Sequence, residues 1–231
     1  MNNFLSTNIL FTKLTAAGND FVLFDRKLNP VVEMNEIFVK NVCNRRTGIG
    51  ADGVLLFSDS VNYPFELDYF NSDGTTGVLC ANGARCALRY AFISGRINQD
   101  KVKFPVNGIE YSGEIIDDKL VKFYLNEPKK IKTNFKIKAA EQLINASYVD
   151  VGAPHVVIKI SDILKNPKRL DSYYDDINDV PVFQIGKEIR YSKDFEPEGT
   201  NVNFIDIQDN LIKIRTYERG VEDETLACGT G

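Results

Sequence analysis

Apolar and polar residues alternate along much of the chain, which is the pattern of half-buried β-strands. The segments with this alternation, or with a short apolar run, are 21–24, 53–57, 65–70, 101–104, 120–125, 155–160, 201–207 and 211–217. Residues 208–210, Gln-Asp-Asn, predict a hairpin turn between the last two strands. The pattern therefore predicts a protein built mainly from short strands.

Fewer segments have helical spacing. In 82–94 the apolar residues Ala84, Ala87, Leu88 and Ala91 recur at intervals of three and four, and Gly95 follows as a stop signal. A second helix is predicted within 31–44, starting near Asn35 or Glu36, and a short one over 161–164. The polar stretch 165–179 is interpreted as a loop or a further surface helix.

The two halves of the chain resemble each other. The segment 126–130, Asn-Glu-Pro-Lys-Lys, interrupts the strand pattern and is the best candidate for a link, which predicts domains over 1–126 and 127–231. A glycine turn precedes a strand at Gly18 and again at Gly152, and a strand–loop–cysteine–glycine element ends at Gly83 and again at Gly231. Two matches in the same order favour an internal duplication over coincidence.

Composition narrows the function classes. The chain has 231 residues, 43% hydrophobic and 26% charged, as expected for a soluble globular protein. A net charge of −4 argues against non-specific nucleic-acid binding, and no apolar run approaches the roughly 18 residues of a membrane span. The first residues lack a basic region followed by an apolar stretch, so we expect no signal peptide and a cytoplasmic protein. The single histidine, His155, argues against a His-rich metal site and against a His-relayed serine triad.

The four cysteines divide into two kinds. Structural disulfides are not expected in a cytosolic protein, and no pair has the C-x-x-C spacing of a redox or zinc motif. A lone cysteine is most often a small buried hydrophobe, and we expect this of Cys43 and Cys86. By contrast, Cys80 and Cys228 lie in glycine-rich turns, and Cys80 directly precedes a predicted helix. Such a position stabilises a thiolate through backbone N–H groups and the helix dipole.

Two thiols on similar halves predict acid–base chemistry. If the thiols of Cys80 and Cys228 face each other across a cleft, one can remove a proton from carbon while the other donates to the opposite face. This inverts a stereocentre without a cofactor, and we expect no metal. Backbone N–H groups at the same turns can bind the substrate carboxylate.

The chain resembles the diaminopimelate epimerase family in motifs that run in order along nearly its whole length. They are Gly18-Asn-Asp-Phe21, Gly48-Ile-Gly-Ala-Asp-Gly53, Phe70-Asn-Ser-Asp-Gly74, Cys80-Ala-Asn-Gly-Ala-Arg-Cys86, Gly152-Ala-Pro-His155, Asn201-Val-Asn-Phe204, Tyr217-Glu-Arg-Gly220 and Glu224-Thr-Leu-Ala-Cys-Gly-Thr-Gly231. Each alone is weak, but together they are specific. The resemblance implies an α/β fold of the α+β type with two pseudo-symmetric domains, each a curved, mostly antiparallel sheet wrapped around a central helix.

The resemblance also implies an activity. The enzyme would be a cofactor-independent isomerase that interconverts LL-2,6-diaminoheptanedioate and its meso form, in the biosynthesis of lysine and peptidoglycan precursors. Cys80 would be the proton donor and Cys228 the acceptor, with roles that exchange with the direction of the reaction. The expected partners are the small-molecule substrate and a second copy of the chain in a homodimer, with no nucleic acid and no membrane.

Further roles follow from the same motifs. His155 and Glu218 match positions that modulate the pKa of the cysteines. The implied substrate contacts are made by the side chains of Asn19, Asn71, Asn201, Glu218 and Arg219 and by the backbone N–H groups of Ala81, Asn82, Gly229 and Thr230. An asparagine alone would more often be a turn residue and a lone histidine a structural one, so these roles rest on the motifs. Arg219 suits a bidentate clamp on the distal carboxylate.

The sequence departs from the family pattern at several positions. Ala153 stands where the family usually has asparagine, Gly53 where it often has glutamine, and Ala81 where it usually has glycine. The family continues beyond the Cys-Gly-Thr-Gly motif, so the resemblance implies a C-terminal helix and closing strands that follow Gly231 in a longer protein.

Two other functions remain open on the sequence alone. A proline or hydroxyproline racemase would use the same two-thiol chemistry on a ring substrate, although Tyr217-Glu-Arg-Gly220 and the asparagines favour an acyclic substrate with a second charged end. A non-catalytic ligand-binding member of the fold would bind diaminopimelate and leave its α-proton in place.

Overall fold

The computed structural model describes residues 8–231, and the signal-peptide expectation, which concerns residues 1–7, lies outside them. The chain divides into two compact units, Met1–Tyr124 and Leu125–Gly231. No helix between residues 8 and 231 is long and apolar enough to cross a membrane.

The first unit contains one seven-stranded sheet whose strands lie in chain order. The strands are β1 Thr12–Ala16, β2 Asn19–Asp25, β3 Gly53–Ser58, β4 Glu66–Asn71, β5 Lys101–Val106, β6 Ile109–Ile115 and β7 Val121–Tyr124. The β2–β3 and β4–β5 pairs are parallel and the others are antiparallel. Helix α1 spans Glu36–Cys43 and helix α2 spans Ala81–Ile93.

Strands β2 and β3 are buried on both faces, which explains their continuous apolar runs. Alternate residues, among them Phe21, Leu23, Leu55 and Phe57, pack in the core that contains Ala84, Ala87 and Leu88 of α2. The intervening residues Val22, Phe24, Val54 and Leu56 pack against Val39 and Val42 of α1. The curved sheet thus holds α2 on one face and α1 on the other.

The second unit contains a six-stranded sheet in the order β13-β12-β11-β10-β9-β8. The strands are β8 Lys130–Ala139, β9 Gln142–Asp150, β10 Pro154–Lys159, β11 Asn201–Gln208, β12 Leu211–Glu218 and β13 Asp223–Thr225. Only the β10–β11 pair is parallel among these strands. Helix α3 spans Val182–Arg190, and short 3₁₀ turns cover Ile160–Asp162, Ile177–Asp179 and Lys193–Phe195.

Helix α3 covers the apolar face of the second sheet. Its buried residues Val182, Ile185 and Ile189 share a core with Phe204 and Tyr217. Gly186 allows this close approach, because a Cβ atom there would lie 2.4 Å from Cβ of Tyr217. The glycine is therefore a packing requirement of the helix–sheet contact.

The two units share one succession of strands, as an internal duplication predicts. In each, an antiparallel pair is followed by a parallel step and another antiparallel pair: β1-β2-β3-β4 and β9-β10-β11-β12. A helix joins the two parallel strands in both, α1 in the first unit and α3 in the second. The glycine turns before β2 and β10 also match, with φ of 90° at Gly18 and 101° at Gly152. The chain is α+β, with two similar units of mostly antiparallel sheet.

The predicted elements agree in type with those observed, with shifted ends. The helix predicted over 82–94 is Ala81–Ile93, and the one predicted within 31–44 is the shorter Glu36–Cys43, capped by Asn35. The short helix expected at 161–164 is a 3₁₀ turn over Ile160–Asp162. Of the stretch 165–179, only Ile177–Asp179 is helical, so the loop interpretation is the better one.

Several elements are not predicted by the sequence pattern: β1, β6, the β8–β9 hairpin, β13 and α3. Lys130, placed in the link, begins β8. The turn between β8 and β9 is Ala140-Glu141, with φ of 50° and 56°. Two-residue hairpin turns with positive φ usually contain Asn, Asp or Gly, so the sequence does not predict this turn. Residues 130–134 of β8 are all exposed, which removes the alternation that predicts a strand.

Candidate active site

Cys80 is the N-cap of helix α2, as its position before the helical pattern predicts. Its sulfur accepts from the backbone N–H of Gly83 at 3.5 Å, and its carbonyl accepts from the N–H of Ala84 at 2.9 Å. Because a helix N-terminus carries partial positive charge, this position favours the thiolate. Ala81, which replaces the usual glycine, lies within the helix and does not have a positive φ, so the methyl group fits.

A row of polar side chains runs beside the start of α2. Asp52 Oδ2 accepts from Nδ2 of Asn19 at 3.1 Å, Oδ1 of Asn19 accepts from Nδ2 of Asn82, and Oδ1 of Asn82 accepts from Arg85. Asn19 and Asn82 are 9% and 1% exposed. The structure therefore brings two of the predicted substrate contacts together and adds Asp52 and Arg85, for which the sequence predicts no role.

Asn71 lies at the end of β4, at the start of the following turn. Its backbone N–H donates to the carbonyl of Thr75 at 2.9 Å, and Nδ2 donates to the hydroxyl of Thr75 at 3.0 Å. The Oδ1 atom of Asn71 faces Gly77, and a Cβ atom at position 77 would lie 3.3 Å from it. These contacts hold the Asn71 side chain in one orientation.

Cys43 and Cys86 are buried, 5% and 4% exposed, as expected. Burial raises the pKa of the Cys43 thiol to about 11 and that of Cys86 to about 12. Neither thiol can act as a base near neutral pH, which leaves Cys80 and Cys228 as the reactive candidates. All four cysteines are free.

The second unit has a buried polar face. In β11, Val202 and Phe204 point to the core, so Asn201 and Asn203 face the other side of the sheet. The register places His155 on β10 beside Asn201, and Thr216 on β12 opposite Asn203. His155, Asn201, Asn203 and Thr216 are 1%, 4%, 1% and 4% exposed. Buried polar groups of this kind must satisfy one another.

The segment that carries Cys228 lies against this face. The sulfur of Cys228 is 3.5 Å from Oγ1 of Thr230, which is 2.9 Å from Nε2 of His155. Gly231 lies over Asn203, where a Cβ would be 2.6 Å from Oδ1. The predicted residues Cys228, Thr230 and His155 are thus joined in one hydrogen-bonded group.

The surroundings of Cys228 favour the thiol form at rest. Burial raises the pKa of Cys228, and the negative charge of Glu218 raises it further, while hydrogen bonds from Thr230 and Gly231 act in the opposite direction. Burial also lowers the pKa of His155 to about 4, so its ring is neutral near pH 7. A protonated Cys228 is suited to donate a proton.

Asn201 and Arg219 meet at the end of β12. Nδ2 of Asn201 donates to the carbonyl of Pro154 at 3.0 Å, and Oδ1 accepts from the backbone N–H of Arg219 at 2.9 Å. Burial, with Arg190 nearby, lowers the pKa of Arg219 from its ordinary value. Asn201 thus orients the turn that carries Arg219, in addition to any contact with a ligand.

Asn203 and Thr216 also belong to this group, although no sequence motif assigned them a role. A signal was available, since Asn203 lies two positions after Asn201 on a strand and must share its face. Its partners His155 and Thr216 lie on other strands, and no local pattern connects them to Asn203. Within residues 8–231, no group of three or more His, Cys, Asp or Glu side chains could hold a metal ion.

Comparison with known sequences gives one consistent result. The diaminopimelate epimerase family model matches residues 11–131. The chain is 38% identical to the diaminopimelate epimerase of Aquifex aeolicus over 96% of its length and 77% of that protein. It is 39% identical to that of Methanocella arvoryzae, over 97% of the chain and 79% of the relative.

Solved structures show the same fold at low identity. A phenazine biosynthesis protein from Bacillus anthracis matches with a TM-score of 0.61 at 11% identity, over 96% of this chain and 75% of that one. A hydroxyproline epimerase from Agrobacterium vitis, with bound trans-4-hydroxy-L-proline, also matches with a TM-score of 0.61 at 11% identity. This match covers 89% of this chain and 69% of the epimerase chain. The architecture of two similar sheet units is therefore shared beyond the close relatives.

Proposed function

Because this chain belongs to the diaminopimelate epimerase family, we propose that it interconverts LL- and meso-2,6-diaminoheptanedioate. The enzyme is an isomerase that needs no cofactor, and it acts in the formation of lysine and peptidoglycan precursors. The single observation that carries the proposal is the placement of Cys80 and Cys228 in hydrogen-bonded turns of two similar units. In this proposal, each unit supplies one half of the acid–base pair.

The reaction is a proton transfer at one carbon. A thiolate removes the α-proton, the C–H electron pair passes to the carbon and its carboxylate, and the second thiol protonates the carbon from the opposite face. With Cys80, at a helix N-terminus, as the thiolate and Cys228, whose pKa is raised, as the proton donor, the reaction runs in the direction opposite to the one for which the family motifs make Cys80 the donor and Cys228 the acceptor. The reverse reaction exchanges these two roles.

Hydrogen-bond donors in both units support binding of the reacting carboxylate. The backbone N–H groups of Ala81 and Asn82 belong to the first turn of α2, and those of Gly229 and Thr230 follow Cys228 directly. Such groups stabilise an anion, and they stabilise the additional negative charge that develops when the α-proton leaves. This role is part of the proposal for all four residues.

The distal end of the substrate carries a second ammonium and a second carboxylate. We assign Arg219 to the carboxylate and Glu218 to the ammonium, with the carboxamides of Asn19, Asn71 and Asn201 as further contacts. His155 and Glu218 modulate the pKa of the cysteines. The proximity of Glu218 to Cys228 supports this role, because its charge raises the pKa of that thiol.

A homodimer in the cytoplasm is the proposed state of the protein. Both features are expectations for the family and rest on membership alone. Light scattering on the purified full-length protein measures the mass of the particle, and cell fractionation locates it. A monomer with full activity would overturn the dimer, and a membrane fraction would overturn the location.

Exchange of solvent deuterium tests the function. In deuterated water, product formed from either stereoisomer must carry deuterium at the inverted centre, while unreacted substrate stays unlabelled at early times. L-proline and trans-4-hydroxy-L-proline, assayed in parallel, test the racemase alternative. Binding of diaminopimelate without any exchange, in the full-length enzyme, would identify a ligand-binding protein and overturn the proposal.

A further inference from the structure

A series of side chains, buried at first and half-buried at Thr230 and Cys228, leads from the interior of the second sheet to the sulfur of Cys228. It runs from Thr216 through Asn203 and His155 to Thr230 and Cys228. Each member is within hydrogen-bond distance of the next. Since every hydrogen bond needs one donor and one acceptor, the directions of the bonds from Asn203 to His155 and from a neutral His155 to Thr230 follow once the amide of Asn203 is fixed.

Asn203 is that fixed member. Its Nδ2 is 3.1 Å from the carbonyl oxygen of Val156, which can only accept, so the atom at this position must be the NH₂ group. On the other side, Oδ1 accepts from the hydroxyl of Thr216 at 2.9 Å. Rotation of the amide would place Oδ1 against the carbonyl oxygen of Val156, where neither atom can donate, in a residue that is 1% exposed. The orientation of the Asn203 carboxamide is therefore determined.

This orientation determines the protonation of His155. Nδ2 of Asn203 faces Nδ1 of His155 at 3.0 Å, and since Nδ2 donates, Nδ1 must accept and carries no proton. The charged groups that act on the ring are Arg219 and Asp150, and burial keeps the ring neutral. A neutral ring without a proton on Nδ1 carries it on Nε2. Nε2–H then donates to Oγ1 of Thr230 at 2.9 Å.

The last step concerns the Thr230 hydroxyl. Because its oxygen accepts from His155, its own O–H group is available to donate, and the sulfur of Cys228 lies 3.5 Å away. A donated hydrogen bond stabilises the thiolate more than the thiol. The opposing charge at this sulfur is that of Glu218.

We propose that Asn203 is a positioning residue that fixes the Nε2–H tautomer of His155 and thereby turns the Thr230 hydroxyl towards the sulfur of Cys228. This inference rests on the proposed function, since it takes Cys228 as an acid–base group. It assigns a role to the side chains of Asn203 and Thr230, whereas the family motif involves the backbone N–H of Thr230.

Nitrogen NMR reads the tautomer directly, because His155 is the single histidine of the chain. The full-length protein is labelled with ¹⁵N-histidine and expressed without a histidine tag. The expected spectrum at pH 7 has a protonated Nε2 and an unprotonated Nδ1. In Asn203→Asp a carboxylate, which can only accept, faces Nδ1, so Nδ1 gains a proton. A proton on Nδ1 in the parent protein overturns the proposal and requires no variant to fold.

The rate of Cys228 alkylation tests whether the Thr230 hydroxyl donates a hydrogen bond to the sulfur. Thr230→Val keeps the shape and the backbone N–H but removes the donor, and Thr230→Ser retains it. Loss of one such bond raises the apparent pKa of Cys228 by about one pH unit and slows iodoacetamide alkylation at neutral pH about tenfold. Mass spectrometry of the Cys228 peptide gives the rate, and the serine variant should match the parent. Equal rates in the valine and serine variants would overturn the proposal.

Neither measurement depends on turnover. If the parent protein exchanges no deuterium into diaminopimelate, the proposed function fails while the tautomer and alkylation results stand. If it does exchange, and Nδ1 of His155 carries the proton, only the positioning role of Asn203 fails. The two failures are therefore distinguishable.

Discussion

The side-chain amide of Asn82 donates to Oδ1 of Asn19, which joins the first turn of α2 to the start of β2. The direction of this bond is set from both ends. Asp52 can only accept, so it holds the NH₂ group of Asn19, and Arg85 can only donate, so it holds the oxygen of Asn82. The two carboxamides therefore have one permitted arrangement. Their hydrogen bond joins β2, which begins at Asn19, to α2, whose N-cap is Cys80.

Asn82→Asp should destabilise the protein by about 1–3 kcal/mol. The new carboxylate would oppose Oδ1 of Asn19, and rotation of the Asn19 amide would place its oxygen against Asp52 instead. Urea unfolding measures the change in the free energy of unfolding. The matched control is Asn44→Asp, because Oδ1 of Asn44 only accepts, from the N–H groups of Arg46 and Thr47. Equal stability of the two variants would contradict the fixed arrangement.

The two units use corresponding sheet faces for different purposes. The parallel pairs begin at Phe21 beside Gly53 in the first unit and at His155 beside Asn201 in the second. In the first unit this face packs on α2, which begins after Cys80. In the second unit the same face is polar, and the segment from Cys228 to Gly231 lies on it. Both cysteines thus approach the equivalent face of their own sheet.

Gly186→Ala should lower the free energy of unfolding by about 1–2 kcal/mol. Alanine is ordinarily better than glycine in a helix by about 1 kcal/mol, but here its methyl group would lie 2.4 Å from Cβ of Tyr217. The backbone of α3 must move away from the sheet to relieve this contact. Gln184→Ala on the exposed side of the same helix is the control and should change stability by less than about 0.5 kcal/mol. A stabilised Gly186→Ala would contradict the packing argument.

Stability should fall between about pH 6.5 and pH 4 because of His155. Its pKa is lowered from 6.5 to about 4 in the folded protein, so over this range the unfolded chain takes up a proton that the folded chain does not. The contribution of neutral His155 to the free energy of unfolding is fully present above pH 6.5. It decreases as the pH falls, and at pH 4 the loss is on the order of 3 kcal/mol. His155→Gln cannot be protonated, so the difference between the parent and this variant isolates the effect. Parallel stability curves for the two proteins over this range would contradict it.

Cys43 and Cys86 should be inert in the folded protein. Burial raises the pKa of their thiols to about 11 and about 12, and both are shielded from solvent. Iodoacetamide at mildly alkaline pH should label neither until urea unfolds the chain. Cys86→Ala should cost on the order of 1 kcal/mol of stability and leave epimerisation intact. Loss of turnover in a folded Cys86→Ala variant that still binds substrate would count against this assignment.

Sequence patterns found the parts of the fold that depend on local signals. The apolar runs of β2 and β3 and the spacing of Ala84, Ala87 and Leu88 in α2 are visible in the chain itself. Helix α3 has apolar residues at helical spacing, but it is short, contains Gly186 and has no side-chain N-cap, so local sequence does not predict it. The contact of Asn203 with His155 depends on strand register, and that of His155 with Thr230 on the path of a loop, so neither could be derived from local sequence.

Serine in place of either Cys80 or Cys228 should abolish epimerisation in the full-length enzyme. A serine hydroxyl keeps the shape of the side chain but is far harder to ionise than a thiol, whose pKa is about 8.5 when unperturbed. Each single variant keeps one thiol, which can still remove a proton from one face of the substrate. The two variants should therefore still catalyse exchange of the α-proton, or elimination from a suitable substrate analogue. Each variant should act on a different stereoisomer.

This difference in stereochemistry separates two bases from a single base that carries a proton across the site. Deuterium incorporation into each stereoisomer, followed by mass spectrometry, measures it for Cys80→Ser and Cys228→Ser side by side, with Cys86→Ser as the control for loss of a thiol outside the site. With two bases, the variants have opposite preferences and the control resembles the parent. If Cys228→Ser epimerised at the parent rate, Cys80 alone would be sufficient and the two-thiol mechanism would be wrong.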